Sequence, residues 1–187
     1  MTQNLPHSHL TQGTLLIANP DINSFRSVIL LCEHHEEGSF GLLINKPLTI
    51  KVPEEIIDIH QCPNPHIELR NGGPSQPHQM IFLHSSTTLR EQAAKICEDL
   101  YLSGDLPFLQ QAINDPNGPY IHLFFGCHSW GPGELEQEFL EGKWFLYPAT
   151  SSHLFQIPPE KLWRSLLKEM GGKYASLSTI PEDLSLN

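Results

Sequence analysis

Short apolar runs, cut at intervals by Gly, Pro, Asn and Asp, organise this chain. "GTLLIANP" (13–20) reads as a strand ended by Asn19-Pro20. "SVILLCEHH" (27–35) is a second strand, and its unbroken apolar start marks it as buried on both faces. "FGLLINKP" (40–47) is a third. The short glycine-containing turn "EEGS" between the second and third makes them a hairpin. "VPEEIIDIH" (52–60) predicts a short helix, with Pro53 near its start and acids in its first turn. "IELRNGGPSQPHQMIFLHS" (67–85) reads as strand, glycine–proline turn, strand.

Residues 87–102 carry two patterns. Thr88-x-x-Glu91 fits a capping box ahead of the helical composition "LREQAAKIC". Yet Ile96, Glu98, Leu100 and Leu102 alternate with Cys97, Asp99 and Tyr101, the period of a strand. A brief helical turn or loop and then a strand is the reading adopted. "DLPFLQQAIN" (105–114) is a helix capped by Asp105 and stopped by "DPNGP". "YIHLFFG" (120–126) is a further buried strand, "PGELEQEFLE" (132–141) a helix and "KWFLYPA" (143–149) a strand. The helix in "PPEKLWRSLLKEMGG" (158–172) is started by two prolines and stopped by two glycines. Its apolar stripe is Leu162, Trp163, Leu166, Leu167 and Met170. Residues 1–12 read as a frayed polar segment and 175–187 as a surface tail. With no repeat and no linker, the pattern gives one α/β domain of mixed strands over 1–187.

A length of 187 residues suits one domain, which buries about 70% of its unfolded surface and needs no staples. The net charge of −10, with 11 scattered Lys and Arg, disfavours direct DNA binding, which draws its affinity from phosphate neutralisation. No apolar stretch reaches the roughly 18 residues that cross a bilayer, and "MTQNLPHSHLTQG" lacks the basic head and apolar segment of a signal peptide. The expected location is the cytoplasm, where Cys32, Cys62, Cys97 and Cys127 stay reduced. No C-x-x-C pair occurs.

Four stretches carry candidate chemistry. Cys127 beside His128 suggests a nucleophile and its base, but neighbours on a strand point to opposite faces. "CEHHEEG" (32–38) supplies ligand types without the second cluster that a metal needs. In "INKP", Asn45 and Lys46 end a strand, where open α/β sheets bind ligands. "RNGGP" offers the consecutive N–H groups of Gly72 and Gly73 as an anion cradle. Arg26 is placed to balance an acid such as Glu33 or Glu136, or to hold an anion. Trp130, with Gly131 and Gly133, reads as the anchor of a strand-to-helix corner.

Taken in order, these blocks resemble the bacterial YqgE/AlgH family. The likeness rests on "GTLLIANPDINSFRSVILLCEHHEEGSFGLLINKPL", "NGGPSQPHQMIFLHS", "GCHSWGPGELEQEFLEGKWF", "PEKLWRSLLKEMG" and the closing "SLN". Ser75, Ser129 and Glu134 depart from it, standing where valine, glycine and glutamine are usual. The resemblance implies an α/β (α+β) domain whose mixed, bifurcated sheet folds into a pseudo-barrel with helices outside, and it makes 96–102 a strand. The family has no established enzymatic activity, so the resemblance implies none in particular. Members carry the label of transcriptional regulators, so the expectation is a non-catalytic accessory or regulatory protein that binds a protein or small-molecule partner, without cofactor or metal. Its expected groove comprises Arg26, Glu33, His34, Asn45, Lys46, Gly72, Gly73, His84, Trp130 and Glu136. The alternative is a hydrolase or transferase built on a thiol or a His/Glu pair.

Overall fold

The computed structural model describes residues 9–22, 26–48, 61–85 and 93–181. Its strands are β1 (Thr14–Ala18), β2 (Val28–His35), β3 (Gly38–Leu43), β4 (Ile67–Asn71), β5 (Ser75–His84), β6 (Ala94–Cys97), β7 (Leu100–Ser103), β8 (Ile121–Trp130) and β9 (Trp144–Pro148). The helices are α1 (Leu106–Ile113), α2 (Glu134–Leu140), α3 (Ser151–Phe155), α4 (Pro159–Met170) and α5 (Gly172–Leu177). The strands form one nine-stranded sheet in the order β6-β7-β5-β8-β3-β2-β1-β9, with β4 beside β8. Among the described residues only the β4–β8 pairing is parallel.

The sheet curls into a half-barrel. Gln12, just before β1, donates from Nε2 to the Lys95 carbonyl of β6 at 3.2 Å, although β1 and β6 lie near opposite ends of the strand order. Strand alternation then divides the core by face. Leu15, Ile17, Val28, Leu30, Cys32, Leu83 and Phe124 point inward and meet Leu162, Trp163, Leu166 and Leu167 of α4. Leu16, Ala18, Ile29 and Leu31 point outward to Trp130, Trp144 and Leu135 of α2. Ile67, Phe82, Ile121 and Leu123 pack on Phe108, Leu109 and Ala112 of α1. Each such large side chain contributes about 1.5–3 kcal/mol when fully buried. The α4 stripe is the one expected from sequence, and Trp163 fixes it further by donating from Nε1 to the Ala18 carbonyl at 2.9 Å.

The sheet forks along β8. Over Ile121–Phe125, β8 has β4 on one side and β5 on the other. Past Gly126, β3 takes the place of β4, pairing Gly41 with His128 and Ser39 with Trp130. Gly126 has φ 77°, so it serves as a bulge. Phe124 and Cys127, an odd spacing apart, therefore both face the inner core. The end of β3 meets the residue after β4, where Leu43 N–H donates to the Gly72 carbonyl at 2.9 Å, and the chain beyond β3 bridges to β4 at Pro47–Arg70.

Three expectations change. Residues 96–102 are not one strand but the hairpin of β6 and β7, turning at Glu98-Asp99 with Asp99 at φ 57°. Aspartate tolerates that left-handed conformation, and the alternation persists across the turn, so the sequence looked continuous. The short helices α3 and α5 have no counterpart in the sequence reading. The former is held by a capping box between Thr150 and His153, and the latter runs into the segment expected to be a surface tail. Leu10 is buried and so belongs to the core rather than to a frayed end. The helix expected at 52–60 and the capping box at Thr88–Glu91 lie outside the described residues.

Candidate functional site

The corner after β8 is built around one carboxylate. Glu138 Oε2 accepts from Trp130 Nε1 at 3.0 Å and from Trp144 Nε1 at 2.8 Å. This single oxygen joins α2 to β8 and β9. Gly133 at φ 74° turns the chain, and the Gly131 N–H donates to Glu134 Oε2 at 2.7 Å. An amide oxygen would serve there equally well, so Glu134 in place of glutamine keeps the turn. Next to the corner, His34 Nδ1 lies 2.7 Å from Ser39 Oγ, its cross-strand partner in the β2–β3 hairpin. His34 Nε2 lies 3.6 Å from Glu136 Oε1. His34 and Glu136 thus meet beside the strand end that carries Trp130, and the histidine ties the hairpin to α2.

Cys127 and His128 do not meet as a dyad. Cys127 is buried in the inner core with its Sγ 3.7 Å from Ser129 Oγ, whereas His128 stacks on Trp130 at 5.8 Å on the other face. Burial pushes the Cys32 thiol well above the ordinary thiol range. No three His, Cys, Asp or Glu side chains converge on a common point among the described residues.

The other members of the expected groove are spread through the fold. Asn45 is buried and completes the sheet end: its Oδ1 accepts from Val28 N–H and its Nδ2 donates to the Arg26 carbonyl, both at 2.8 Å. Arg26 lies over the Trp163 ring at 4.9 Å and donates to the Ile180 and Pro181 carbonyls at 2.6 Å, so it holds the chain after α5 rather than Glu33 or Glu136. Lys46 follows Asn45 in the bend after β3. Gly72 and Gly73 form no anion cradle. The Gly72 N–H donates to the Phe125 carbonyl at 2.9 Å and the Gly73 N–H to Asn71 Oδ1 at 3.0 Å. Both are glycine because they press on β8: a Cβ on Gly72 would stand 2.0 Å from the Gly126 carbonyl oxygen.

His84 is separated from the rest. It pairs with Ile121 at the start of β8, whereas Trp130 ends that strand. At about 3.3 Å per residue, nearly the full strand length lies between them. His84 packs between Tyr101 and Phe108, and burial lowers its pKa to about 4. His122 on β8 is lowered to about 3, by burial first and then by the Arg70 charge, so its contact with Glu68 at 3.8 Å is that of a neutral ring. Both histidines bind protons more readily unfolded, near pH 6.5, than folded. Their contribution to stability is complete above about pH 6.5 and drains as pH falls toward 4 and then 3, by about 1.4 kcal/mol per pH unit for each histidine. Urea titrations at stepped pH should show this slope, and His122→Leu should reduce it by about one proton's worth.

The concave space near the corner is a cleft at the mouth of the half-barrel, about 590 Å³ in volume. Phe40, Met80, Ile81 and Leu102 give it apolar walls; Gln76, Gln79, Ser103 and Ser129 give it hydrogen-bonding groups, and Cys127 lies among them. Among the described residues Glu33 is its one charged lining residue. The cleft exists because β5 bows away from β8: the register passes from Ser75–Cys127 directly to Met80–Phe125, with Gln76 at φ 48°. A shallower depression of about 580 Å³ adjoins it, shares Glu33 and Phe40, and reaches Trp130. Of the expected groove, only Glu33 lines the main cleft. The amide, hydroxyl and thioether groups of the cleft do not stand out in sequence, although Pro77 within an otherwise strand-like run signals a bulge.

With this geometry in hand, the comparisons are decisive about kinship. A family model described as AlgH-like matches residues 15–175. The chain belongs to the AlgH-like family. A UPF0301 protein of Chlamydia pneumoniae is 48% identical over 186 residues, covering 98% of this chain and 99% of that one. A UPF0301 protein of Chlorobium limicola is 36% identical over 185 residues, with 95% and 96% covered. The solution structure of the AlgH protein from Pseudomonas aeruginosa superposes with TM-score 0.71 at 27% identity, covering 97% of this chain and 98% of that one. A crystal structure from Corynebacterium diphtheriae superposes with TM-score 0.75 at 24% identity, over 96% and 95% of the two chains, and shares the fold. The half-barrel with helices outside is therefore the architecture of AlgH-like chains, and the fork at Gly126 lies within the matched span.

Proposed function

We propose that this protein is a non-catalytic accessory or regulatory protein that binds a neutral or cationic small molecule, or a partner's side chain, in the barrel-mouth cleft. The observation that carries the reading is the lining itself. Apolar walls with a few amides and hydroxyls in a concavity of this size are the make-up of a ligand pocket, and barrel mouths are a common place for one. Among the described lining residues Glu33 alone brings charge, which disfavours an anionic ligand, and the net charge of −10 disfavours nucleic acid. Regulation on this reading works through the bound partner and not through DNA contact. Four free cysteines, Cys32 and Cys127 among them in the inner core, suit the reducing cytoplasm. Among the described residues no helix is long and apolar enough to cross a membrane.

The test is a thermal-shift screen of neutral and cationic compounds, with binding mapped by amide shifts. Ser129→Trp plugs the cleft from an exposed position on β8. A ligand at 100 times its Kd stabilises the wild type by about 2.7 kcal/mol. That gain should disappear in Ser129→Trp while the unliganded Tm stays close to wild type. A hit that stabilises both proteins equally refutes the site. Ester hydrolysis that is lost on Ser39→Ala refutes the non-catalytic reading in favour of chemistry at His34, Ser39 and Glu136.

A further inference from the structure

Among the described residues the strand path ends in two edges, β6 and β9, and β4 is a third one-sided strand beside β8. The β6 edge is met by the chain itself, at Gln12 and at Gly13, where an added Cβ would lie 2.8 Å from the Ile96 carbonyl oxygen. The β9 edge instead opens into a cleft of about 710 Å³. That cleft straddles the edge. Phe139, Trp144 and Leu146 line it on the α2 side; Phe145, Tyr147 and Tyr174 line it on the inner-core side.

The backbone of β9 fixes which groups face the cleft. The Ala149 N–H donates to the Gly13 carbonyl at 2.8 Å, and the Lys143 carbonyl accepts from Asn19 N–H at 2.9 Å. In an antiparallel pair, bonded residues alternate, so Lys143, Phe145, Tyr147 and Ala149 turn toward β1. Trp144 and Leu146 turn their N–H and carbonyl groups the other way, and Pro148 adds a carbonyl. Among the described residues no backbone group bonds to these. Donors and acceptors therefore recur along the cleft at every second residue, roughly 6.8 Å apart.

We infer that the β9 edge is a docking site for an extended peptide segment of a partner, with apolar and basic residues alternating, that joins the sheet as an added strand. An extended chain presents its own N–H and carbonyl groups at the same interval, and its side chains fall alternately on the two walls. The charge favours a basic segment. Glu169, 48% exposed, sits at the Tyr147 hydroxyl, which donates to its Oε1 at 3.1 Å, while its Oε2 lies 3.2 Å from His153 Nε2. A second copy of this chain would bring another net charge of −10 to the same place. Pro148, which has no N–H, ends the ladder and limits the register.

The experiment uses the full chain, isotope-labelled, and a capped synthetic peptide of alternating valine and lysine. Binding should protect the Trp144 and Leu146 amides from hydrogen exchange. The same peptide, N-methylated at alternate residues so that one edge cannot donate, should bind about tenfold more weakly or worse. Equal affinity of the two peptides, shifts confined to Phe40 and Ser129 at the barrel mouth, or no binding at about 1 mM peptide overturns the proposal. Protection of the same amides by concentration alone, without peptide, overturns it in favour of self-association. Because the reporters lie on β9 for this site and on β3 and β8 for the barrel mouth, either reading can fail without the other.

Discussion

Gly126→Ala is expected to lower stability by about 2–5 kcal/mol, a fall in Tm of roughly 10 °C for a chain of this size. Two causes add. At φ 77° an L-residue pays about 1–2 kcal/mol. The new Cβ would also stand 2.3 Å from the Gly73 carbonyl oxygen and 3.1 Å from that of Ser75. Both are backbone atoms of the opposing branch of the fork, so neither can rotate away, and such overpacking costs about 1–3 kcal/mol. Gly104→Ala is the control. An added Cβ there meets nothing within 4 Å, and its effect should stay within about 0.5 kcal/mol. Differential scanning calorimetry on the two variants decides the matter. A Gly126→Ala protein that melts with the wild type would mean that the fork does not depend on this bulge.

The same glycines show what the sequence could and could not say. Local pattern was legible wherever burial set it. The burial of β2 on both faces, the Asp105 cap of α1 and the stripe of α4 all follow from residues close together in the chain. The corner at Trp130 was legible too, because a glycine-rich stretch between an apolar run and an acidic helix has few other uses. Gly72 and Gly73 were not, since "RNGGP" reads identically as an anion cradle and as a backbone pressed against another backbone. Only the approach of β8, far along the chain, separates the two. The expected groove failed to assemble as a whole for a related reason. Strand ends need not be neighbours: His84, on β5, pairs with the start of β8, whereas Trp130 ends that strand. Asn45 and Arg26 attract attention as polar residues near strand ends, yet their hydrogen bonds are spent on Val28 and on the chain after α5. The barrel-mouth cleft, by contrast, is lined by residues of modest chemistry whose meeting depends on the bow in β5.

Glu138 carries the second large expectation, and its residue type gives no hint of it. In sequence it is one of several acids on an amphipathic helix; in the fold one oxygen serves two indoles whose residues are each 8% exposed. Glu138→Ala leaves both N–H groups without that acceptor, at about 1–3 kcal/mol apiece, so a loss of roughly 2–5 kcal/mol is expected. It also removes the carboxylate that Lys143 approaches at 3.6 Å, a contact whose exposure makes it worth little. Glu138→Gln separates these effects. The amide oxygen can still accept from both indoles while the charge is gone, so most of the stability should return. Urea denaturation followed by tryptophan emission measures both variants, and the alanine protein should also emit further to the red as water reaches the rings. If alanine and glutamine behave alike, the indoles find water at no cost and the clamp is not what fixes α2. If they differ as expected, a neutral acceptor suffices to hold the corner, and Trp130 stays in place beside the depression that adjoins the cleft whatever the charge on Glu138.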